Sequence, residues 1–122
     1  MVLADTSVWI SHLREGNNTM EFLLNEGIVV CHPFIIDELA SGNLKNRREI
    51  LSLLQELPAV EMAEHEEILQ FIDKNYLMGK GLGLTDIHLL ASAVLTDIPL
   101  WTNDKILKQI SAKMKVEYKI NT

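Results

Sequence analysis

Ile28-Val29-Val30-Cys31 is continuously apolar and rich in β-branched side chains, with no alternation of apolar and polar residues. A run of this kind suits a strand buried on both faces, which points to a parallel sheet with helices above and below it. Two more segments repeat the theme: Val2-Leu3-Ala4, ending at Asp5, and Pro99-Leu100-Trp101-Thr102. Ala59-Val60-Glu61-Met62 reads as a short, weak strand and Val116-Glu117-Tyr118 as a last one at a sheet edge.

Helical signals fill the intervals. Thr6 or Ser7 caps a helix whose apolar side is Val8, Trp9, Ile10 and Leu13, and Gly16 ends it. A short helix around 18–26 carries Met20, Leu23 and Leu24 on one stripe and stops at Gly27. Pro33 opens a helix that buries Ile35, Ile36, Leu39 and Ala40 and closes at Gly42. Residues 46–57 repeat the period at Ile50, Leu53, Leu54 and Leu57, and a helix from about 64 to 78 turns Ile68, Phe71, Ile72 and Tyr76 inward. Gly79, Gly81 and Gly83 break up a loop. The next helix starts near Thr85 and buries Ile87, Leu90, Ala91 and Val94, and the last runs from Asp104 to about Ala112. Strands alternating with helices throughout predict an α/β protein, a three-layer α/β/α sandwich around a central, mostly parallel sheet. With 122 residues, 1–122 is read as a single domain with one core.

In such a sheet, ligands gather in the crevice at the carboxyl ends of the strands. Four acidic residues fall at strand ends or on the helices beside them: Asp5, Glu38, Asp86 and Asp104. Carboxylates brought together this way repel one another unless a divalent cation neutralises them, and hard oxygen donors select Mg²⁺ or Mn²⁺. The pattern predicts a phosphoryl-transfer site. Each acid also has a plainer role open to it, as a helix cap or a first-turn dipole partner. The two roles are compatible, because helix N-termini are where such sites collect.

Composition narrows the field. The content is 48% hydrophobic and 23% charged, which is ordinary for a globular domain. No apolar run approaches the roughly 18 residues of a membrane span. The first residues enter a strand without a basic region and a long apolar stretch, so a secretory signal is not expected. One cysteine, Cys31, excludes an internal disulfide and a cysteine-rich zinc site, and a cytoplasmic setting is the economical expectation. The net charge of −6 argues against a nucleic-acid partner until the four site carboxylates are set aside, which leaves about −2. Basic residues cluster at Lys45, Arg47 and Arg48, at Lys105 and Lys108, and at Lys113, Lys115 and Lys119, and such runs are more often solvated surface than a binding face, so charge is neutral on a nucleic-acid partner.

The strings Val2-Leu3-Ala4-Asp5-Thr6-Ser7-Val8-Trp9-Ile10, Ile36-Asp37-Glu38-Leu39-Ala40-Ser41-Gly42, Gly83-Leu84-Thr85-Asp86-Ile87-His88-Leu89-Leu90-Ala91-Ser92-Ala93 and Leu100-Trp101-Thr102-Asn103-Asp104 occur in this order along the chain. Together they resemble a PIN-domain ribonuclease, and more specifically a VapC-type toxin of a bacterial or archaeal toxin–antitoxin pair. The resemblance spans essentially the whole chain. It implies a PIN-like fold and Mg²⁺- or Mn²⁺-dependent cleavage of RNA at the acidic quartet Asp5, Glu38, Asp86 and Asp104. Asp5, Asp86 and Asp104 would be the metal ligands, with Asp5 and Asp104 direct, and Thr6 and Thr102 would be supporting hydroxyls. It also implies a cognate antitoxin protein and a homodimer. Asp37 stands beside Glu38 and competes with it for the second acidic position, while Trp101 is bulky for a place next to a metal site.

Other chemistries fit less well. A receiver-type signalling domain wants an acidic pair at its first strand, where Asp5 is alone, and a haloacid-type phosphatase wants Asp at position 7, which is Ser. A catalytically silent PIN-like interaction module would be expected to have lost part of the quartet. Ser7 lacks a nearby His and nucleophile-elbow glycines, which disfavours serine hydrolysis. His88 lies two residues beyond Asp86, a separation that does not share a helix face, and is read as structural or exposed.

Overall fold

The first strand, β1 (Val2–Ala4), is the middle one of a three-stranded parallel sheet ordered β2-β1-β3. This is seen in a computed structural model that describes residues 1–120. On one side β2 (Val29–Val30) sets Val29 against Val2 and Val30 against Leu3. On the other, β3 (Leu100–Trp101) sets Leu100 against Leu3 and Trp101 against Ala4. Single parallel bridges, Cys31 to Ala59 and Leu100 to Glu117, continue the sheet outward at both flanks. All three residues of β1 are buried. Successive strand residues point to opposite faces, so both faces of the sheet are covered.

Among the described residues seven α-helices supply that cover: α1 (Thr6–Glu15), α2 (Asn18–Asn25), α3 (Pro33–Ser41), α4 (Arg47–Glu56), α5 (His65–Asn75), α6 (Leu84–Thr96) and α7 (Lys105–Lys113). The α/β/α sandwich with a parallel sheet is therefore the observed architecture. α3 packs against α1 and α4, while α6 packs against α5 and β3. Leu3, Met20, Ile35, Leu90, Leu100 and Leu107 are sealed in the main core. Ala63, Ile68, Ile87 and Ala91 form a smaller cluster where α5 meets α6.

Outward from β1 the chain visits β2 and then Ala59 on one flank, and β3 and then Glu117 on the other. The direction of winding thus reverses between β1 and β3, and the crevice at such a reversal is where open α/β sheets bind ligands. Asp5 and Thr102 directly follow the two strands that flank it.

Local expectations differ from the structure at several points, among them Ile10 on α1, which is 40% exposed. Asp5, rather than Thr6 or Ser7, caps α1, accepting from the Val8 N–H at 3.1 Å. The stretch 59–62 is no strand: after the Ala59 bridge, the Glu61 carbonyl accepts from Ser92 of α6 at 2.7 Å and is lost to any ladder. The segment 116–118 likewise pairs only through its single bridge to Leu100. Tyr76 adopts a left-handed conformation (φ +53°) just past the end of α5, and its side chain is 73% exposed instead of inward. Val94 is 39% exposed; α6 is buried continuously from Ile87 to Ala93, then emerges from beneath its neighbours.

Candidate active site

Asp5 is fixed from every side. Its backbone N–H donates to the Trp101 carbonyl at 2.9 Å, continuing the β1–β3 pairing one residue past the strand. Its Oδ1 accepts from Ser7 Oγ at 2.5 Å and from the Val8 N–H at 3.1 Å. Its Oδ2 accepts from Thr102 Oγ1. Both hydroxyls are themselves oriented. Thr102 Oγ1 accepts from the Asp104 N–H at 2.9 Å, and Ser7 Oγ accepts from the Asn103 N–H at 3.0 Å. Residues 102–104 are thereby latched onto the start of α1, and each hydroxyl's single proton is directed at the carboxylate.

Asp104 caps α7, accepting from the Leu107 N–H at 2.9 Å through Oδ2, and is exposed. Asp86 occupies the third position of α6 and reaches back through its Oδ2 to the Gly83 N–H at 3.1 Å. Three aspartates thus sit at the positive ends of three helices, each spending an oxygen on a cap.

Asp86 is the electrostatic hub of the four acids. Burial raises its carboxyl above the ordinary carboxylate range; the Gly83 N–H pulls it down, and the charges of Asp104 and Glu38 push it up. Asp5 is raised too, chiefly by burial, against the lowering effect of Ser7, Thr102 and the Val8 N–H, with Asp86 adding a further upward push. Among the described residues, the charges that shift Asp5 and Asp86 are those of other carboxylates. Glu38 and Asp37 are both exposed on α3, and they act on different groups: Glu38 on Asp86, Asp37 on His32.

The donor set suits a hard divalent cation, being all carboxylate and hydroxyl oxygen with uncompensated negative charge. Among the described residues no three His, Cys, Asp or Glu side chains are placed so that together they could hold a metal ion. Mg²⁺ does not need three, since it keeps several waters and takes one or two protein carboxylates.

The supporting hydroxyls differ in their surroundings. Thr102 is buried and bonded to Asp5, whereas Thr6 Oγ1 is buried with no hydrogen-bond partner among the described residues. Ser7 is the hydroxyl that sequence reasoning passed over, although its spacing two residues beyond a strand-end aspartate is one at which serine can turn back onto that residue. Trp101 is buried, and its ring packs 5.5 Å from that of Tyr118. His88 is buried, its ring 4.4 Å from Phe34 and 6.0 Å from His32. His32 caps α3 by accepting the Phe34 N–H at Nδ1 (3.0 Å), and burial, seconded by His88, lowers its pKa to about 4.

The chain is also similar to known proteins. Residues 2–113 match a family model described as the PIN domain. Ribonuclease VapC32 from Mycobacterium tuberculosis, from the CDC 1551 / Oshkosh and ATCC 25618 / H37Rv strains alike, is 42% identical over 117 residues, covering 95% of this chain and 94% of that protein.

Proposed function

The chain belongs to the PIN-domain family, and from that membership we propose that it is a VapC-type endoribonuclease, the toxin of a toxin–antitoxin pair. It hydrolyses RNA phosphodiester bonds at Asp5, Glu38, Asp86 and Asp104, with Mg²⁺ or Mn²⁺ as cofactor. What supports the reading is the Thr102 hydroxyl that ties Asp5 to the Asp104 N–H at the sheet's reversal point, with the charge of Asp86 adding to the upward push on the Asp5 carboxyl.

A divalent cation at such a site acidifies a bound water and neutralises charge on the phosphoryl oxygens. Asp5 and Asp104 would hold it directly, and Asp86 would complete the pocket. Asp5 Oδ1 already accepts two hydrogen bonds, so Oδ2, with one, is the oxygen that would have a lone pair left for a cation. Thr102 bonds that oxygen and Ser7 the other, so the two hydroxyls hold the carboxylate in place without adding charge. Glu38, exposed on α3, would act through water at the rim. The rim is open, with Glu38, Asn103 and Asp104 all exposed, which suits an extended RNA chain as substrate.

The same openness admits a basic side chain, and inhibition by a cognate antitoxin that sets an Arg or Lys among the carboxylates follows from it. Phe22 on α2 and Leu53 on α4 are more than half exposed, and burial of such groups supports a homodimer, to be checked by light scattering at micromolar concentration. Among the described residues no helix is long and apolar enough to cross a membrane. A cytoplasmic location completes the proposal, since the substrate is found there.

The deciding experiment is cleavage of purified RNA with Mg²⁺, Mn²⁺ or EDTA, beside an Asp86→Asn protein prepared identically. Metal-dependent cleavage that the variant lacks supports the reading. Equal cleavage by both proteins, or cleavage untouched by EDTA, sinks it.

A further inference from the structure

Two of the lysine clusters that the sequence sets apart supply walls of one cavity. Lys108, on α7, and Lys119, after the last bridge, both line a pocket of ≈ 280 Å³ together with Thr102, Asn103, Glu117 and Tyr118. Thr102 is common to this pocket and to the carboxylate site, because its hydroxyl holds Asp5. Lys108 lies one helical turn, about 6 Å along the axis, beyond Asp104. In a chain with a net charge of −6, two lysines beside a carboxylate cluster provide an anion-binding wall where a substrate phosphate most needs one.

Three of the other liners fit a base. The Tyr118 ring is half-buried and braced by Trp101 at 5.5 Å, and a rigid aromatic face is what unstacked RNA bases settle on. Asn103 and Glu117 bring hydrogen-bonding groups suited to base edges. At ≈ 280 Å³ the pocket lies at the small end of ligand sites, room for about one nucleotide rather than a folded partner.

We propose that this cavity is a subsite for one nucleotide of single-stranded RNA adjoining the cleaved phosphodiester, with its phosphate on Lys108 and Lys119 and its base on Tyr118. The proposal rests on the ribonuclease reading and extends it to how the substrate is held.

Binding of a labelled random-sequence single-stranded RNA octamer, measured by anisotropy in EDTA over a salt series, tests it without requiring cleavage. Lys108→Ala and Lys119→Ala should each flatten the slope of log affinity against log salt by about 0.7. Tyr118→Leu should weaken binding about tenfold while leaving the slope alone, and Tyr118→Phe should bind more tightly than Tyr118→Leu. In cleavage assays the lysine variants should raise KM more than they lower kcat. A Lys108→Ala/Lys119→Ala double variant with wild-type affinity and salt slope overturns the subsite even if the wild type cuts RNA. A wild type whose binding depends on these lysines but which cuts nothing with Mn²⁺ keeps the subsite and removes the ribonuclease reading. No binding by the wild type overturns both.

Discussion

Thr102 donates its hydroxyl proton to Asp5, 97 residues earlier in the chain, and is steered to do so because the same oxygen accepts from the Asp104 N–H. Ser7 does the same from the other side, between the Asn103 N–H and Asp5. Two neutral hydroxyls thus aim a carboxylate at the crevice and tie the β3–α7 turn to the β1–α1 turn.

Thr102→Ala leaves a buried carboxylate oxygen and the Asp104 N–H each short of a partner. The expected loss is about 1–3 kcal/mol of stability, together with RNA cleavage. Thr102→Ser, which keeps the hydroxyl, should restore most of both, and Ser7→Ala, at a half-buried position, should cost about 1 kcal/mol. Urea melts and cleavage rates measure the two effects. A Thr102→Ala protein that matches wild type in both removes the relay from the mechanism.

Asp86→Asn should separate metal binding from folding. The carboxyl pKa of Asp86 is raised, so its stabilising contribution is complete below the unfolded carboxylate value and is lost as pH climbs through the folded one. At neutral pH the ionised group is therefore a burden on the metal-free protein, and the amide should be at least as stable. Metal held only by the folded wild type should stabilise it by about 2.7 kcal/mol at a hundredfold excess over Kd. Thermal melts in EDTA and in millimolar Mg²⁺ or Mn²⁺ test both halves. A wild-type Tm indifferent to both ions excludes a metal site at the quartet.

Glu38 and Asp37 are adjacent acids with different neighbours, and their amides should behave differently. Glu38→Gln, which alters the charge around Asp86, should lower cleavage about 10- to 100-fold. Asp37→Asn, which alters the charge around His32, should cleave like wild type. The reverse ranking in a side-by-side assay would hand the second acidic position to Asp37.

Much of this arrangement is legible in the sequence because it is built from local rules. Apolar runs mark the strands, and an acid at a strand's end or in a helix's first turn marks Asp5, Asp86 and Asp104. What escapes depends on competition settled in three dimensions. Whether the Glu61 carbonyl joins a ladder is decided by Ser92, 31 residues on, and no property of the 59–62 run foretells it. Which of two neighbouring hydroxyls serves Asp5 depends on the phase of α1: with Asp5 as cap, Ser7 turns back to it and Thr6 does not. The contact of His32 with His88 joins the start of α3 to α6 and has no signature in spacing.

That histidine yields the sharpest pH prediction. His32 Nδ1 accepts the Phe34 N–H, so the proton of the neutral ring sits on Nε2, which is buried without a partner among the described residues. A second proton at Nδ1 would face the Phe34 N–H head-on and break the cap of α3, and burial already opposes the charge. The folded pKa is accordingly lowered, from the 6.5 of a free imidazole to about 4. For a lowered histidine the unfolded chain takes the proton first, so stability is full above pH 6.5 and falls as pH drops toward 4. At pH 5 the loss is about 2 kcal/mol. The raised carboxyls of Asp5 and Asp86 act in the opposite sense over part of the same range, so the histidine's share is read as a difference between proteins. His32→Asn offers a side-chain oxygen to the same N–H and nothing that titrates here. Its smaller side chain lowers stability by a constant amount at every pH, so the slope is the readout. Urea melts of both proteins at pH 7, 6 and 5 in EDTA should show the wild type losing about 2 kcal/mol more than the variant on acidification. Parallel losses in the two would show that His32 is not the group being titrated.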